Sequence, residues 1–581
     1  MTVDRDATAY GMRLVASRVS RLPTPEADLL LRTADVFRAA FPDTERHWAA
    51  HLPFRLADAE RRAHSGDHDG AVSALRALHA ESPHRPADLA DRLQIDERLA
   101  RALLRRDAPG DRQAAFDLVR QRHAALLAHP DRSDTPTLTA RHRSCYALMI
   151  GLLLDHGPHL TLPAGADARE LAFDLHEEYR ARTDTALHAT GGAVHPATLN
   201  RLRAHLAADP DARHCAYVSY FHGEHTTVAF VLHADTGRLT AHRTPLGEHA
   251  VRDAAQRLRH TFDGDPDAFP PLPPLPVRRP WRRDLAFFDD LAPHLLAFLP
   301  DVTGRELLCL AAEPALQALP LPALPLPTRP DEPPQVLAHR HAVVHVSHAT
   351  ALLRTAAREH PGTRDADAAV FVAGVAARED ADPQRLEGDA EFVTRPGLRR
   401  SELRGVAATP HTVLTGLAGA RVAHLSGHGW YDRIEPLDSG LLLAHAGQRP
   451  SKYPLTVDIG TRLRHLLTAR QILDAGLRPD LLTLRACSTA RQDLHSTGDL
   501  QGLARLLQTS GARTVLATLW DVDDTSSRRL YADFHRRLAT EPPWRALLQA
   551  QCAMLDHPAE PWERHPYHWA ATILLGDWRT R

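Results

Sequence analysis

Two apolar runs of this chain end in residues that can do chemistry together. The first, Arg421-Val-Ala-His-Leu-Ser-Gly-His428-Gly429, ends in a histidine followed by glycine. The second, Leu481-Leu-Thr-Leu-Arg-Ala-Cys487-Ser-Thr489, reaches a cysteine. A thiolate attacks electrophilic carbon and an imidazole takes the thiol proton, so His428 and Cys487 form a candidate base and nucleophile. A third member is not obligatory, because thiol and imidazole pKa values already lie close together. Each residue also has an ordinary explanation. A cysteine ending an apolar strand commonly serves as a small buried hydrophobe, and one His-Gly pair carries little weight among 38 histidines. His424 and His428 make an H-x3-H pair, a spacing that suits zinc on a helix. This run reads as a strand, and the adjacent glutamate of H-E-x-x-H is missing, so metal is rejected. His424 and Ser426 share a strand face with His428 and read as support for it.

Such residues need a scaffold that brings strand ends together. From about 340 onward, apolar runs with β-forming residues alternate with helical spacing. The strand candidates are Ala368-Ala-Val-Phe-Val-Ala-Gly374, Ala420-Arg-Val-Ala-His-Leu-Ser426, Leu481-Leu-Thr-Leu-Arg-Ala486 and Thr514-Val-Leu-Ala-Thr-Leu-Trp520. Helix-like stretches lie between them, at Thr468-Ala-Arg-Gln-Ile-Leu473 and Asp499-Leu-Gln-Gly-Leu-Ala-Arg-Leu-Leu507. This alternation predicts an α/β domain with a mainly parallel central sheet flanked by helices. Open sheets of this kind collect ligands and catalytic groups at the carboxyl ends of their strands.

Residues 1–205 read as helical. Leu29-Leu-Leu-Arg-Thr-Ala-Asp-Val-Phe37 and Ala71-Val-Ser-Ala-Leu-Arg-Ala-Leu78 carry apolar residues at helical spacing. Segments beginning Gly66-Asp67 and Gly110-Asp111, each followed by small residues and later by Pro83 or Pro130, resemble degenerate tetratricopeptide-like hairpins. An irregular helical bundle is the alternative. Residues 206–340 begin with three β-rich segments, at 214–221, 226–233 and 238–243, which predict a meander, and continue with a helix over about 247–262. Proline-rich stretches at 270–280 and 320–334 read as rigid connectors, with a proline-motif ligand as the lesser alternative. The expected domains are therefore 1–205, 206–340 and 341–581.

With 581 residues, 43% hydrophobic and 24% charged, the chain has the composition of a globular protein of two or three domains. A net charge of −2 gives no overall pull toward nucleic acid or anionic membrane. Lys452 is the sole lysine, and with abundant Ala, Pro and His this reads as codon usage in a GC-rich bacterial genome. The five cysteines (Cys145, Cys215, Cys309, Cys487, Cys552) include no CxxC pair, which fits a reducing compartment. Met1-Thr-Val-Asp-Arg-Asp6 lacks the basic and apolar parts of a secretory leader, and no apolar run approaches the ~18 residues of a spanning helix. The expectation is a cytoplasmic protein without cofactor, membrane attachment or direct nucleic-acid binding.

The two runs and the blocks after them resemble the CHAT family, caspase-like domains often found behind tetratricopeptide repeats. Ala-Cys with a histidine upstream also has the caspase layout. The downstream blocks are Gly502-Leu-Ala-Arg505, Ser510-Gly-Ala-Arg-Thr-Val-Leu-Ala-Thr-Leu-Trp520-Asp-Val-Asp-Asp-Thr525, His565-Pro-Tyr-His-Trp-Ala570 and Leu575-Gly-Asp577. Upstream, Glu313-Pro-Ala-Leu-Gln-Ala-Leu-Pro-Leu-Pro-Ala-Leu324 and Leu386-Glu-Gly-Asp-Ala-Glu391 are similar to two further blocks of the family. Similarity is strong over about 420–577, weaker over 213–420 and slight before that. Three positions depart from the pattern. Arg485 stands where serine is usual, a glycine after the Cys-x-Thr start is missing, and Asp521 replaces the common proline.

The resemblance implies that His428 activates Cys487 and later protonates the leaving amine. Gly429, with the Cys487 N–H as a second donor, would face the developing oxyanion; such donors are typically worth about 3 kcal/mol each in the transition state. In caspase-like enzymes the residue after the strand-end aromatic lines the primary specificity pocket. Leu519-Trp-Asp-Val-Asp-Asp524 is similar to the corresponding run of separase, which implies that Asp521, beside Trp520, selects arginine or lysine. The alternative is that these carboxylates cap the following helix, since acids are favoured at helix N-termini. The expected function is a cysteine endopeptidase cleaving a protein partner, with the helical region receiving a regulatory protein or signal, in a setting such as defence. A catalytically silent scaffold, with Arg485 obstructing the site, is the alternative, and acyl transfer through the same pair is a weaker third.

Overall fold

The computed structural model describes residues 48–84, 89–128, 143–163, 165–184, 195–208, 212, 214–263, 285–328, 331, 333–357, 369–380, 382–395, 397–430, 432, 436–451, 463–477, 479–486, 489 and 503–579. The chain divides into two compact units, Met1–Tyr179 and Arg180–Arg581. The expected helix at 29–37 and the proline-rich stretch at 270–280 lie outside the described residues.

The first unit is helical, as the apolar spacing predicts. Its helices are α1 (Trp48–His64), α2 (His68–Glu81), α3 (Leu89–Arg106), α4 (Asp111–Leu127), α5 (Arg143–His156) and the start of α6 (Ala168–Thr183). Both Gly-Asp pairs mark helix starts. Gly66 takes a φ of +87°, which frees Asp67 to cap α2 by accepting from the Gly70 N–H at 2.9 Å. Successive helices from α1 to α5 pack against one another through buried Leu75, Leu99, Leu103, Phe116, Val119 and Ile150. Burial of each such side chain contributes roughly 1.5–3 kcal/mol.

The second unit is built on one eleven-stranded sheet. In chain order it contains α7 (Leu199–Ala207), β1 (Cys215–His222), β2 (Thr227–His233), β3 (Leu239–Thr244), α8 (Glu248–Asp263), β4 (Leu307–Ala311), β5 (Ala342–Val346), α9 (Ala349–Ala357), β6 (Ala369–Gly374), β7 (Arg399–Arg404), α10 (Pro410–Ala418) and β8 (Ala420–Ser426). Then come β9 (His428–Trp430), β10 (Gly440–Leu442), β11 (Leu466–Thr468), α11 (Ala469–Ala475), β12 (Leu481–Arg485), α12 (Leu503–Ser510), β13 (Thr514–Thr518), α13 (Asp524–Arg537), α14 (Pro543–Asp556) and β14 (Thr572–Gly576). The sheet order is β3-β2-β1-β4-β5-β14-β13-β12-β8-β6-β7. All pairings are parallel except those of β1 with β2, β2 with β3, and β13 with β14. The mostly parallel sheet flanked by helices is the architecture that the alternation predicts. The meander over 214–243 joins the same sheet rather than standing apart from it. In the second proline-rich stretch, Leu321, Leu324 and Leu326 are buried and Pro325 bridges Val336, so the part described there works as a packed connector.

Four parallel strands matter for the site. β6, β8, β12 and β13 end together, with Gly374 opposite Ser426 and Ser426 opposite Arg485. β8 and β12 are buried almost throughout, which is why they read as continuous apolar runs. A local signal starts the helix before β8. Thr409 caps α10 in a reciprocal capping box with Thr412, and Pro410 occupies the first turn. β9, β10 and β11 form a small separate antiparallel sheet that the sequence reading did not anticipate.

Between β6 and β7 the chain crosses the strand ends as a strap, residues 375–398. A Cβ at Gly374 would lie 2.6 Å from the Leu386 carbonyl oxygen and 2.9 Å from the Glu387 Cα, so only glycine lets the strap sit this low. Gly374→Ala is expected to destabilise the protein by about 1–3 kcal/mol through overpacking. Urea unfolding of the full chain checks this, and an unchanged midpoint would contradict the close approach. Among the described residues no helix is long and apolar enough to cross a membrane.

Candidate active site

His428 leaves β8 through Gly427 and opens β9, where it pairs with Leu442 of β10. Its backbone is thereby fixed from two sides: Gly427 donates to the Arg485 carbonyl at 3.2 Å, and β9 is laddered to β10. The side chain is about one-fifth exposed, and its Nε2 donates to Asp380 Oδ2 at 2.7 Å. A carboxylate only accepts, so the proton sits on Nε2 and Nδ1 carries the lone pair. Among the described residues Nδ1 makes no hydrogen bond. Asp380 is itself steadied by the Ala377 N–H, 2.8 Å from the same Oδ2. The imidazole thus has a fixed tautomer and an open basic nitrogen.

Cys487 lies outside the described residues, but Ala486 before it and Thr489 after it are described. The Ala486 carbonyl accepts from Thr518 Oγ1 at 2.7 Å and from Thr489 Oγ1 at 3.3 Å. Thr489 Oγ1 accepts in turn from the Thr518 N–H at 3.1 Å. The end of β13 therefore latches the chain on both sides of the cysteine. The remaining thiols are poor nucleophiles. Cys145, Cys215 and Cys309 are buried; burial pushes the Cys145 thiol up to about 12, helped by the Glu97 charge, and the Cys552 thiol up to about 11, helped by Asp556.

Below this level lies a buried charged cluster. His424 is fully buried, hydrogen-bonded to Thr483 Oγ1 at 2.7 Å through Nδ1, and donates from Nε2 to Asp389 Oδ2 at 2.9 Å. Arg485 does not stand over the site. Its side chain is 1% exposed and grips Asp389 with Nε at 2.6 Å from Oδ2 and Nη2 at 3.1 Å from Oδ1. It also donates to the Arg385 carbonyl and approaches Asp524 Oδ1 at 3.9 Å. Burial alone would raise the Asp389 carboxyl, but the His424 hydrogen bond and the charges of His424 and Arg485 outweigh it and hold the group at about 2. Ser426 Oγ donates to the Leu386 carbonyl at 2.5 Å, and Glu387 pairs with Arg449. The Leu386–Glu391 block that the sequence singles out is thus the part of the strap that supports this level from above.

After β13, Trp520 is 3% exposed, packs at 4.6 Å on Phe262, and donates its indole N–H to the Tyr567 carbonyl at 3.1 Å. The His565–Ala570 block therefore closes the wall behind Trp520. Asp521 is exposed. Asp523 caps α13, accepting from the Thr525 and Ser526 N–H groups at 3.1 and 2.9 Å. Asp524 is half exposed near His428, Arg485 and Asp380. Partial burial first, and the Asp380 and Asp523 charges after it, raise its carboxyl above the ordinary carboxylate range. Sequence reading missed Asp380, for which the acidic segment Glu379-Asp-Ala-Asp382 was the available signal; it quoted Asp389 only within the Leu386–Glu391 block and weighed Asp524 only as a helix cap.

Asp389→Asn is expected to cost roughly 3–5 kcal/mol, because it leaves the Arg485 charge buried without its carboxylate. Since the folded pKa of Asp389 lies below its unfolded value, its contribution is fully present above about pH 4 and lost as pH falls through about 2. Urea midpoints of wild type and variant across that range test both points. Equal midpoints at pH 7 would remove the cluster's assigned role.

Comparison with curated proteins found no match. Among solved structures, the chain is similar to the Saccharomyces cerevisiae separase-securin complex at 3.0 Å resolution. The identity is 10%, covering 98% of this chain and 48% of that one, with a TM-score of 0.48. The 2.6 Å structure of the same complex gives 9% identity, 99% and 50% coverage, and a TM-score of 0.46. A complex of Porphyromonas gingivalis RgpB pro- and mature domains matches at 13% identity over 57% of this chain and 77% of that one, with a TM-score of 0.31. The chain spans about half the length of the separase chains it matches. The CHAT domain family model matches residues 287–577, half of the chain, from β4 through the strap to β14. On that match, this chain belongs to the CHAT domain family.

Proposed function

We propose that the protein is a cysteine endopeptidase in which Cys487 is the nucleophile and His428 the base. The observation that carries this reading is the 2.7 Å hydrogen bond from His428 Nε2 to Asp380, which leaves Nδ1, without a hydrogen bond among the described residues, as an acceptor at the mouth of the sheet. Arg485, two residues before the cysteine, is in register with Ser426, two residues before the histidine. Nδ1 takes the thiol proton as sulfur attacks the scissile carbonyl, and the imidazolium so formed is stabilised by Asp380. The same proton then passes to the leaving amine, and water, activated by the freed imidazole, releases the acyl group. The Gly429 N–H and the Cys487 N–H serve the oxyanion.

Asp521, exposed beside the buried Trp520, is the carboxylate that selects arginine or lysine before the cleaved bond. The substrate is a protein partner, and the helical N-terminal unit receives the regulatory protein or signal that controls cleavage, in a defence or signalling setting. The silent-scaffold alternative requires Arg485 to block the site; its burial against Asp389 favours the peptidase.

Intact-mass labelling with an arginyl acyloxymethyl ketone tests the pair. Wild type is expected to gain one adduct, and Cys487→Ala and His428→Ala none. Asp380→Asn should label about a hundredfold more slowly, because the carboxylate no longer stabilises the imidazolium. An adduct that survives Cys487→Ala would sink the assignment. For specificity, Asp521→Ala is expected to lose the preference for arginyl over norleucyl peptides while keeping turnover of the neutral one. Unchanged preference would sink the assignment of the pocket to Asp521.

A further inference from the structure

A cleft of about 500 Å³ opens in the second unit, away from His428. It is lined by Arg395 at the far end of the strap, by the segment joining α13 to α14, by the first turn of α14, and by Trp578 and Arg579 just after β14. Gly576 of β14 pairs with Thr514, the first residue of β13, so the cleft sits where the parallel strands begin, while His428 sits where they end.

Three guanidinium groups line the cleft against one carboxylate, Glu541. Two of the three are already engaged: Arg545 with Glu306 and Glu541, and Arg579 with Asp577 at 2.7 Å. Arg395 differs. Among the described residues it pairs with no carboxylate and donates only to the Leu538 carbonyl. Burial, and then the nearby Arg421 charge, push its pKa down, which marks a cation lacking a counter-charge. A further feature points the same way. The fourteen-residue helix α14 lines the same space with Trp544 and Arg545 of its first turn, its positive end adding to the potential. Trp544 in that turn is partly exposed, with Arg545 lying 4.8 Å from its ring.

We propose that this cleft binds a small anion carried on a flat ring, of the size and chemistry of a mononucleotide. The phosphate meets Arg395 and the first turn of α14, and the ring lies against Trp544. The volume is within the usual range for small-molecule sites and suits such a ligand better than a peptide strand. Cation, helix terminus and aromatic face together match how proteins hold phosphate beside a base.

Calorimetric titration of the full chain with AMP, inorganic phosphate and adenosine tests this without reference to peptidase activity, so its failure would leave the His428 and Cys487 assignment untouched. The expected result is one AMP per chain with saturation below about 1 mM, weaker binding of phosphate, and none of adenosine. Arg395→Gln is expected to weaken AMP at least about tenfold, as loss of a charge-assisted hydrogen bond does. Trp544→Ala, at a partly exposed position, should weaken AMP while phosphate binding is unchanged, and it decides the matter should Arg395→Gln unfold. No saturation by AMP, equal binding of AMP by Trp544→Ala and wild type, or binding of an acidic hexapeptide in place of AMP would each overturn the proposal.

Discussion

One buried carboxylate organises the half of the second unit that bears His428. Asp389 arrives from the strap and meets His424 of β8 and Arg485 of β12, so three separate segments are tied at one point beneath the strand ends. None of the partners tolerates the absence of the others. A buried arginine without a carboxylate, or a buried carboxylate without its donors, costs far more than the network gains by forming. The cluster therefore acts less as a source of net stability than as a fixed reference for geometry. His428 stands two residues beyond Ser426, which donates to the same strap, and Asp380 reaches His428 from the strap's near end. Moving the strap would shift His428, its hydrogen-bonded carboxylate and the floor beneath them together.

Much of this frame was legible in the sequence because parallel strands buried on both faces read as unbroken apolar runs. β8 occupies the residues expected, 420–426, and β12 and β13 differ from expectation only by losing a residue or two at their ends. The meander and the helix after it were legible for a related reason, β-branched and aromatic runs broken by turn residues. The three-residue strands β9 to β11 were not, since two alternations are too few to show a period.

The polar side of the site was harder to read. Asp380 sits in a charged stretch that looks like any solvated loop, and its pairing with His428 is made across 48 residues by the fold alone. Arg485 looked like an obstruction because its partner lies 96 residues upstream, and a lone arginine at a strand end gives no hint of which way it turns. The Leu386–Glu391 block was recognisable as a pattern but not as a support. Its meaning depends on which strand ends it crosses, and spacing along the chain does not encode that.

The antiparallel seam between β13 and β14 has a consequence for how the chain can be divided. β14 carries the sheet onward to β5, β4 and the meander, so the half bearing His428 owns no natural boundary on that side. Cutting before residue 342 would strip β5 of β4 and bare a row of backbone donors and acceptors along Ala342-Val-Val-His-Val346, five buried residues without a formal charge or a proline to discourage pairing. Such a fragment would carry its own template for edge-to-edge association. The meander and β4 thus serve the distant site as a cover that keeps the sheet solitary.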